Sequence, residues 1–428
     1  MRILFLTPGT GHFLCGSCLR DDALVRALRD LGHDAVMAPL YLPLVLEEAA
    51  PEQPVHMGGI NMYLQHKLPL ARHTPRPIED LLDSTKLLRW VSSRADMTSA
   101  AELGELTLST LRGEEGRQKK EVDKLVRWVT SLEPPDVIVL SNAMLIGVAR
   151  RLKHETEARI LCTLQGEAPF LDALTPPYRE DSWRTIAERA SDVDAFVPVS
   201  RHYGDLMQER LGLDPDRVHV VHNGIDLDGF APAEAAPSVP TVGYLARMCV
   251  DKGLPTLVEA FLRLKRRESV PGLCLRAAGV VLAQDRSLLH DLEHKLEDAG
   301  CADACELLPN VTRAEKIELL RSLSVLSVPA TYGESFGLFV VEALACGVPV
   351  VQPDHGAFPE LLEATGGGVL CRPDDPESLA DELERLLLDE LLRKRLGEQG
   401  ERAVRERFTS ERMARDVESI CRLAVAAR

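Results

Sequence analysis

The chain has 428 residues, too long for one ordinary core and suited to two domains of about 200 residues each. Its 50 basic and 66 acidic residues give a net charge of −16, which argues against a broad nucleic-acid or anionic-membrane surface. No run of about eighteen apolar residues occurs, so no transmembrane helix is expected, and the ten scattered cysteines read as reduced, mostly buried thiols of a cytoplasmic protein.

Residues 2–6 form an apolar run too short for a signal peptide and read as a first strand. A glycine-rich loop with Gly9, Gly11 and Gly16 follows, then an amphipathic helix over 19–31 closed by Gly32, then a strand over 36–40. This β-loop-α-β opening predicts a doubly wound sheet. The glycine spacing is not G-x-G-x-x-G, so the dinucleotide fingerprint is absent. His12, Cys15 and Cys18 suggest a metal or redox motif, but four ligands do not assemble; Cys301 and Cys305 fall in the other half of the chain.

Residues 58–64 are a candidate strand, and 77–130 read as a charged helical insertion. Its basic residues Arg117, Lys119, Lys120, Lys124 and Arg127 form either a solvated helix face or a local basic patch. Strands are expected over 134–141, 159–164 and 195–200, with a helix over 203–211. The second of these strands opens into Gln165-Gly166-Glu167, where Glu167 is either a polar site residue or a surface carboxylate. Ala231–Pro240, rich in Ala and Pro, reads as a linker.

A second β/α series begins with a strand over 241–246, a loop at Asp251–Gly253 and a helix over 254–266. Further strands are expected over 273–278, 322–328, 348–351 and 368–370, and the tail from about 378 is helical. The richest stretch is Tyr332 to Val351: a loop, an apolar helix over 338–345, Gly347 as its C-terminal stop, Pro349, and a valine-rich strand. Two carboxylates stand out, Glu334 before the helix and Glu342 within it, because an ionised group among apolar neighbours requires hydrogen-bond partners. The N-terminus of that helix is a ready anion site formed by Ser335, Phe336, Gly337 and Leu338.

Glu, seven residues, Glu, with Phe-Gly-Leu after the first and Cys-Gly-Val-Pro-Val-Val after the second, resembles the retaining glycosyltransferases of family four, the glycosyl transferases of group 1. The resemblance implies an α/β protein of the GT-B fold: two Rossmann-like doubly wound parallel-sheet domains facing a central cleft. Its domains would be 1–230 on the acceptor side, 240–405 binding the nucleotide sugar, and a last helix over 406–428 crossing back to the first. It implies that Glu334 contacts the donor sugar and Glu342 the ribose, and that Arg247 and Lys252 stabilise the leaving diphosphate. Asn310 and Val311 match a loop near the base, and Gly11 and Gly16 match the loop that approaches the donor diphosphate and the acceptor.

One position departs from the pattern. Many family members carry His-Gly where this chain has Gln165-Gly166; Gln hydrogen-bonds but does not titrate as His does. The implied reaction is metal-independent hexose transfer, with the leaving phosphate helping to deprotonate the acceptor, so an obligate base is not required. No cofactor is implied beyond a nucleotide-diphosphate sugar as co-substrate. The acceptor, whether sugar, glycan, lipid or small molecule, is not specified, and a membrane surface has no positive support. Two alternatives stay open: a catalytically impaired nucleotide-sugar-binding scaffold, and another GT-B enzyme such as an epimerase.

Overall fold

A computed structural model describes residues 1–9, 16–44, 55–57 and 100–427. The candidate strand at 58–64, the first part of the helical insertion, Gly11, His12 and Cys15 lie outside the described residues. The chain divides into two compact units, Met1–His222 with Ser410–Arg428, and Asn223–Thr409.

The first unit is built on a parallel sheet of five strands in the order β2-β1-β3-β4-β5. They are β1 (Arg2–Thr7), β2 (Asp34–Pro39), β3 (Val137–Leu140), β4 (Arg159–Leu164) and β5 (Ala195–Pro198). Both faces of β1, β3 and β4 are covered, so these strands are buried along nearly their whole length rather than alternating, whereas edge strand β2 alternates at its start. The two-residue period still sorts side chains by face. Ile3 and Phe5 join Leu24, Leu28, Met413 and Val417, from helices Gly16–Asp30 and Ser410–Ala426. Leu4 and Leu6 join Leu125, Val126 and Leu152 on the other face. Each such fully buried side chain contributes about 1.5–3 kcal/mol before the entropy of ordering it. The helical segment following residue 99 contains Ala100–Leu111 and Lys119–Ser131.

The second unit carries a six-stranded parallel sheet in the order β11-β10-β9-β6-β7-β8. Its strands are β6 (Thr241–Leu245), β7 (Cys274–Gly279), β8 (Cys305–Pro309), β9 (Val325–Leu326), β10 (Val350–Pro353) and β11 (Gly368–Cys371). Register runs through Val242 opposite both Leu275 and Val325, and Val350 opposite both Leu326 and Gly368. Strand β8 is not among the sequence-based expectations. It is a five-residue edge strand with no residue fully buried, so it lacks the apolar run that marks its neighbours.

From β6 the chain proceeds to β7 and β8 in one direction, and from β9 to β10 and β11 in the other. The order therefore reverses between β6 and β9, and ligands of open parallel sheets gather at the carboxyl ends of strands at such a point. Among the described residues no helix is long and apolar enough to cross a membrane.

Candidate functional site

The loop after β6 is held rigidly. Buried Tyr244 donates its hydroxyl to the Arg247 carbonyl at 2.7 Å, and the Met248 N–H donates to Val280 O at 2.9 Å. Gly253 ends the loop at φ +74°, and a Cβ there would lie 1.8 Å from the Pro329 carbonyl oxygen. Only glycine lets the loop after β6 lie this close to the loop after β9. The Thr331 N–H completes the junction by donating to Asp251 O at 2.9 Å.

This approach sets Lys252 against Glu334. The ammonium donates to Glu334 Oε2, and the two side chains are 22% and 10% exposed. Lys252 Nζ also lies 5.0 Å from the Tyr332 ring centroid and 6.0 Å from that of Phe339. Burial acts to lower the Lys252 pKa, but the Glu334 charge and Tyr332 outweigh it and the net shift is upward. The Tyr332 phenol is pushed up to about 12, first by burial and then by the Glu334 charge. On the far side, Gly356 at φ +63° would place a Cβ 2.5 Å from Glu334 N, and the Ala357 N–H donates to Glu334 O at 2.8 Å. Among the described residues Glu334 Oε1 has no hydrogen-bond partner.

Glu342 is the one polar side chain of the helix Leu338–Ala345. Gly337 opens this helix in the left-handed region at φ +95°. At its other end the Gly347 N–H donates to Leu344 O at 2.9 Å and the Val348 N–H to Ala343 O at 3.0 Å, a Schellman ending. The partner Glu342 needs is Lys316 of the helix Arg313–Arg321, whose Nζ donates to Oε1 at 2.7 Å. Lys316 was not anticipated, because in sequence it is one charge among several on a short polar helix. Glu342 Oε2, like Glu334 Oε1, has no partner among the described residues. Two carboxylates thus each hold one lysine on one oxygen and present a second oxygen.

The remaining candidates are placed as follows. Arg247 pairs with Asp285 at 3.2 Å and is about one-third exposed. Asn310 follows β8 at φ +58°, its side chain accepting the Val281 N–H at 3.3 Å, and so links the ends of β7 and β8 beside Val311. Ser335 and Phe336 are buried; the Phe336 ring packs 6.2 Å from that of Phe408 and so faces the core, while Leu338 is half-buried. A cavity of about 500 Å³ beside Pro232, Arg321 and Cys346 contains neither Lys252 nor Glu334.

In the first unit, Gly16 begins the helix after β1. Gln165 donates from Nε2 to Ser141 O at 2.6 Å and to Asp21 Oδ1 at 3.2 Å. Asp21 also accepts from Arg20 at 2.9 Å and from Ser141 Oγ. Burial raises its pKa, against the opposing pull of Arg20. Glu167 is 6% exposed, so it is not a surface carboxylate. It accepts from Ala143 N at 2.7 Å, Gln165 N at 3.1 Å, Gly166 N at 3.0 Å and Tyr203 Oη at 2.8 Å. Its work is to fold the Gln165 loop.

Residues 230–403 match the model of the glycosyl transferases group 1, and residues 107–228 that of glycosyltransferase family 4. A D-inositol 3-phosphate glycosyltransferase of Streptomyces bingchenggensis is 32% identical over 238 residues, covering 50% of this chain and 47% of that one. The chain thus spans about half the length of the curated relatives it matches, 47% and 55% for the first two. Sucrose-phosphate synthase from Thermosynechococcus elongatus superposes with TM-score 0.74 at 18% identity over 100% of both chains. Anabaena HepE, solved with UDP-glucose, superposes with TM-score 0.68 at 17% identity over 98% of this chain and 99% of that one. These two likenesses establish the fold.

Proposed function

Because the chain belongs to the glycosyl transferases of group 1 and has their GT-B fold, we propose that it moves a hexose from a nucleoside diphosphate sugar to an acceptor hydroxyl, with retention of anomeric configuration. The observation that carries this reading is the Lys252–Glu334 pair at the reversal between β6 and β9.

An ammonium has three donors, so Lys252 bound to Glu334 keeps two for a diphosphate oxygen. Together with Arg247 it supplies the positive charge that a departing nucleoside diphosphate requires, without a metal ion or other cofactor. Glu334 offers Oε1 to a donor-sugar hydroxyl, and Glu342 offers Oε2 to the ribose. Asn310 and Val311 border the base, and the N–H groups of the segment Ser335–Leu338 face the phosphates. In the transfer, the bond from the anomeric carbon to the phosphate oxygen breaks and the bond to the acceptor oxygen forms on the same face. The acceptor proton passes to the departing phosphate, so Gln165 orients by hydrogen bonding and does not act as a base. We assign acceptor handling to the first unit around Gly16 and Gln165, and the reaction to the cytoplasm.

The test is product stereochemistry. Proton NMR of the product formed in EDTA from an α-linked donor should show an α-anomer. A β-product, or activity abolished by EDTA and restored by a divalent cation, contradicts the mechanism.

A further inference from the structure

We propose that Lys316 is a positioning residue for recognition of the donor ribose, acting through Glu342; this rests on the donor-site reading above. Lysine on a nine-residue helix ordinarily extends to solvent, yet Lys316 is 8% exposed. Its Nζ lies 2.7 Å from Glu342 Oε1, with side-chain exposures of 11% and 16%. The helix that delivers it is fixed at its start by a capping box: the Thr312 N–H donates to Glu315 Oε2 at 2.7 Å, and the Glu315 N–H donates to Thr312 Oγ1 at 3.3 Å. The ammonium also sits 5.7 Å from the Phe230 ring centroid. Lys316 therefore reaches Glu342 from a defined direction.

Stability alone does not account for the arrangement. A buried ion pair is commonly no more stabilising than apolar residues of the same volume, and every other side chain of the helix Leu338–Ala345 is already apolar. What the pair supplies is a carboxylate turned so that Oε1 is occupied and Oε2 is presented. One oriented acceptor oxygen suits a sugar hydroxyl, and a site built to bond a hydroxyl rejects the analogue that lacks it far more strongly than an apolar site does. Without Lys316, Glu342 would be free to rotate, and its preference for the hydroxyl would fall.

The experiment measures binding of the glucose conjugates of UDP, GDP, ADP and TDP by calorimetry. It then compares the conjugate that binds with its 3′-deoxyribose and 2′-deoxyribose analogues, in the wild type, Lys316→Met, Lys316→Arg and Glu342→Gln. The wild type should favour the ribose form over at least one deoxy form by on the order of 100-fold. Lys316→Met should reduce that ratio to below about 10-fold, and Lys316→Arg should restore most of it. In the double variant Lys316→Met/Glu342→Gln the two losses should not add. Equal weakening toward ribose and deoxyribose donors in Lys316→Met, with the ratio intact, would show a merely structural role and overturn the proposal. If Lys316→Met does not fold, Lys316→Gln decides on the same measurement: a ratio reduced to below about 10-fold supports the proposal, and an intact ratio overturns it. Absence of binding by any of the four conjugates in the wild type overturns the donor-site reading itself.

Discussion

Lys252 and Glu334, 82 residues apart in sequence, form a mostly buried ion pair where the strand order of the second sheet reverses. Their loops follow β6 and β9, and Gly253 permits the close packing that joins them. Replacing Lys252 by Met removes the counter-charge and leaves Glu334 partly buried. The expected cost is about 1–3 kcal/mol in stability, discounted for the residual exposure of the lysine. On the proposed reading, in which Lys252 makes a charge-assisted contact to the donor phosphate, donor affinity should fall by about 100-fold. Urea unfolding and donor titration separate the two effects.

Gly356→Ala should impair the same site from the opposite side. The new Cβ would fall 2.5 Å from Glu334 N and 2.8 Å from Glu334 O, at a positive φ that alanine disfavours. We expect a loss of about 2 kcal/mol and a donor Kd weakened at least tenfold, with circular dichroism retained. Unchanged donor affinity would show that Glu334 does not need its present backbone position.

The first unit should carry an acid-sensitive contact at His56. Its ring stacks on Trp128 with centroids 3.5 Å apart, and its pKa is lowered to about 4, by burial first and by the Lys124 charge second. A depressed histidine pKa means that the unfolded chain binds the proton more readily. The contribution is therefore complete above about 6.5 and is lost as the pH falls from there toward 4. Unfolding free energy should drop by about 1–2 kcal/mol between pH 7 and pH 5 from this group, and His56→Phe should flatten that slope. Urea titrations at the two pH values check it.

Glu167→Gln should destabilise the first unit by about 2 kcal/mol, since an amide cannot accept from all four donors that surround the carboxylate. Tyr203→Phe removes one of those donors and should cost less. Thermal unfolding of the two variants ranks them, and equal midpoints would contradict this account of the Gln165 loop.

Much of the architecture is legible along the chain because parallel strands buried on both faces leave continuous apolar runs, as at 2–6, 159–164 and 348–351. Gly347 announces the end of its helix, and it does sit at φ +70°. Edge strand β8 escapes because Cys305–Pro309 is only half-buried. In the site, Glu334 and Glu342 are visible as carboxylates in an apolar setting, whereas their environment depends on distant partners. Lys316 resembles any solvated helix charge until tertiary packing buries it, and Asp285 reveals its pairing with Arg247 only when β7 and β6 are aligned. Glu167 reads as surface for the same reason: its four donors include Ala143 and Tyr203, 24 and 36 residues away.

The most direct measurement of the central claim is the thermal midpoint and nucleotide release with a panel of nucleotide sugars, in the wild type and Lys252→Met. A donor bound at 100 times its Kd stabilises the folded protein by about 2.7 kcal/mol through mass action. The account predicts a shift with a specific donor and slow release of its nucleoside diphosphate, both lost in Lys252→Met. A shift and release undiminished in that variant, or no shift with any nucleotide sugar in the wild type, would contradict it.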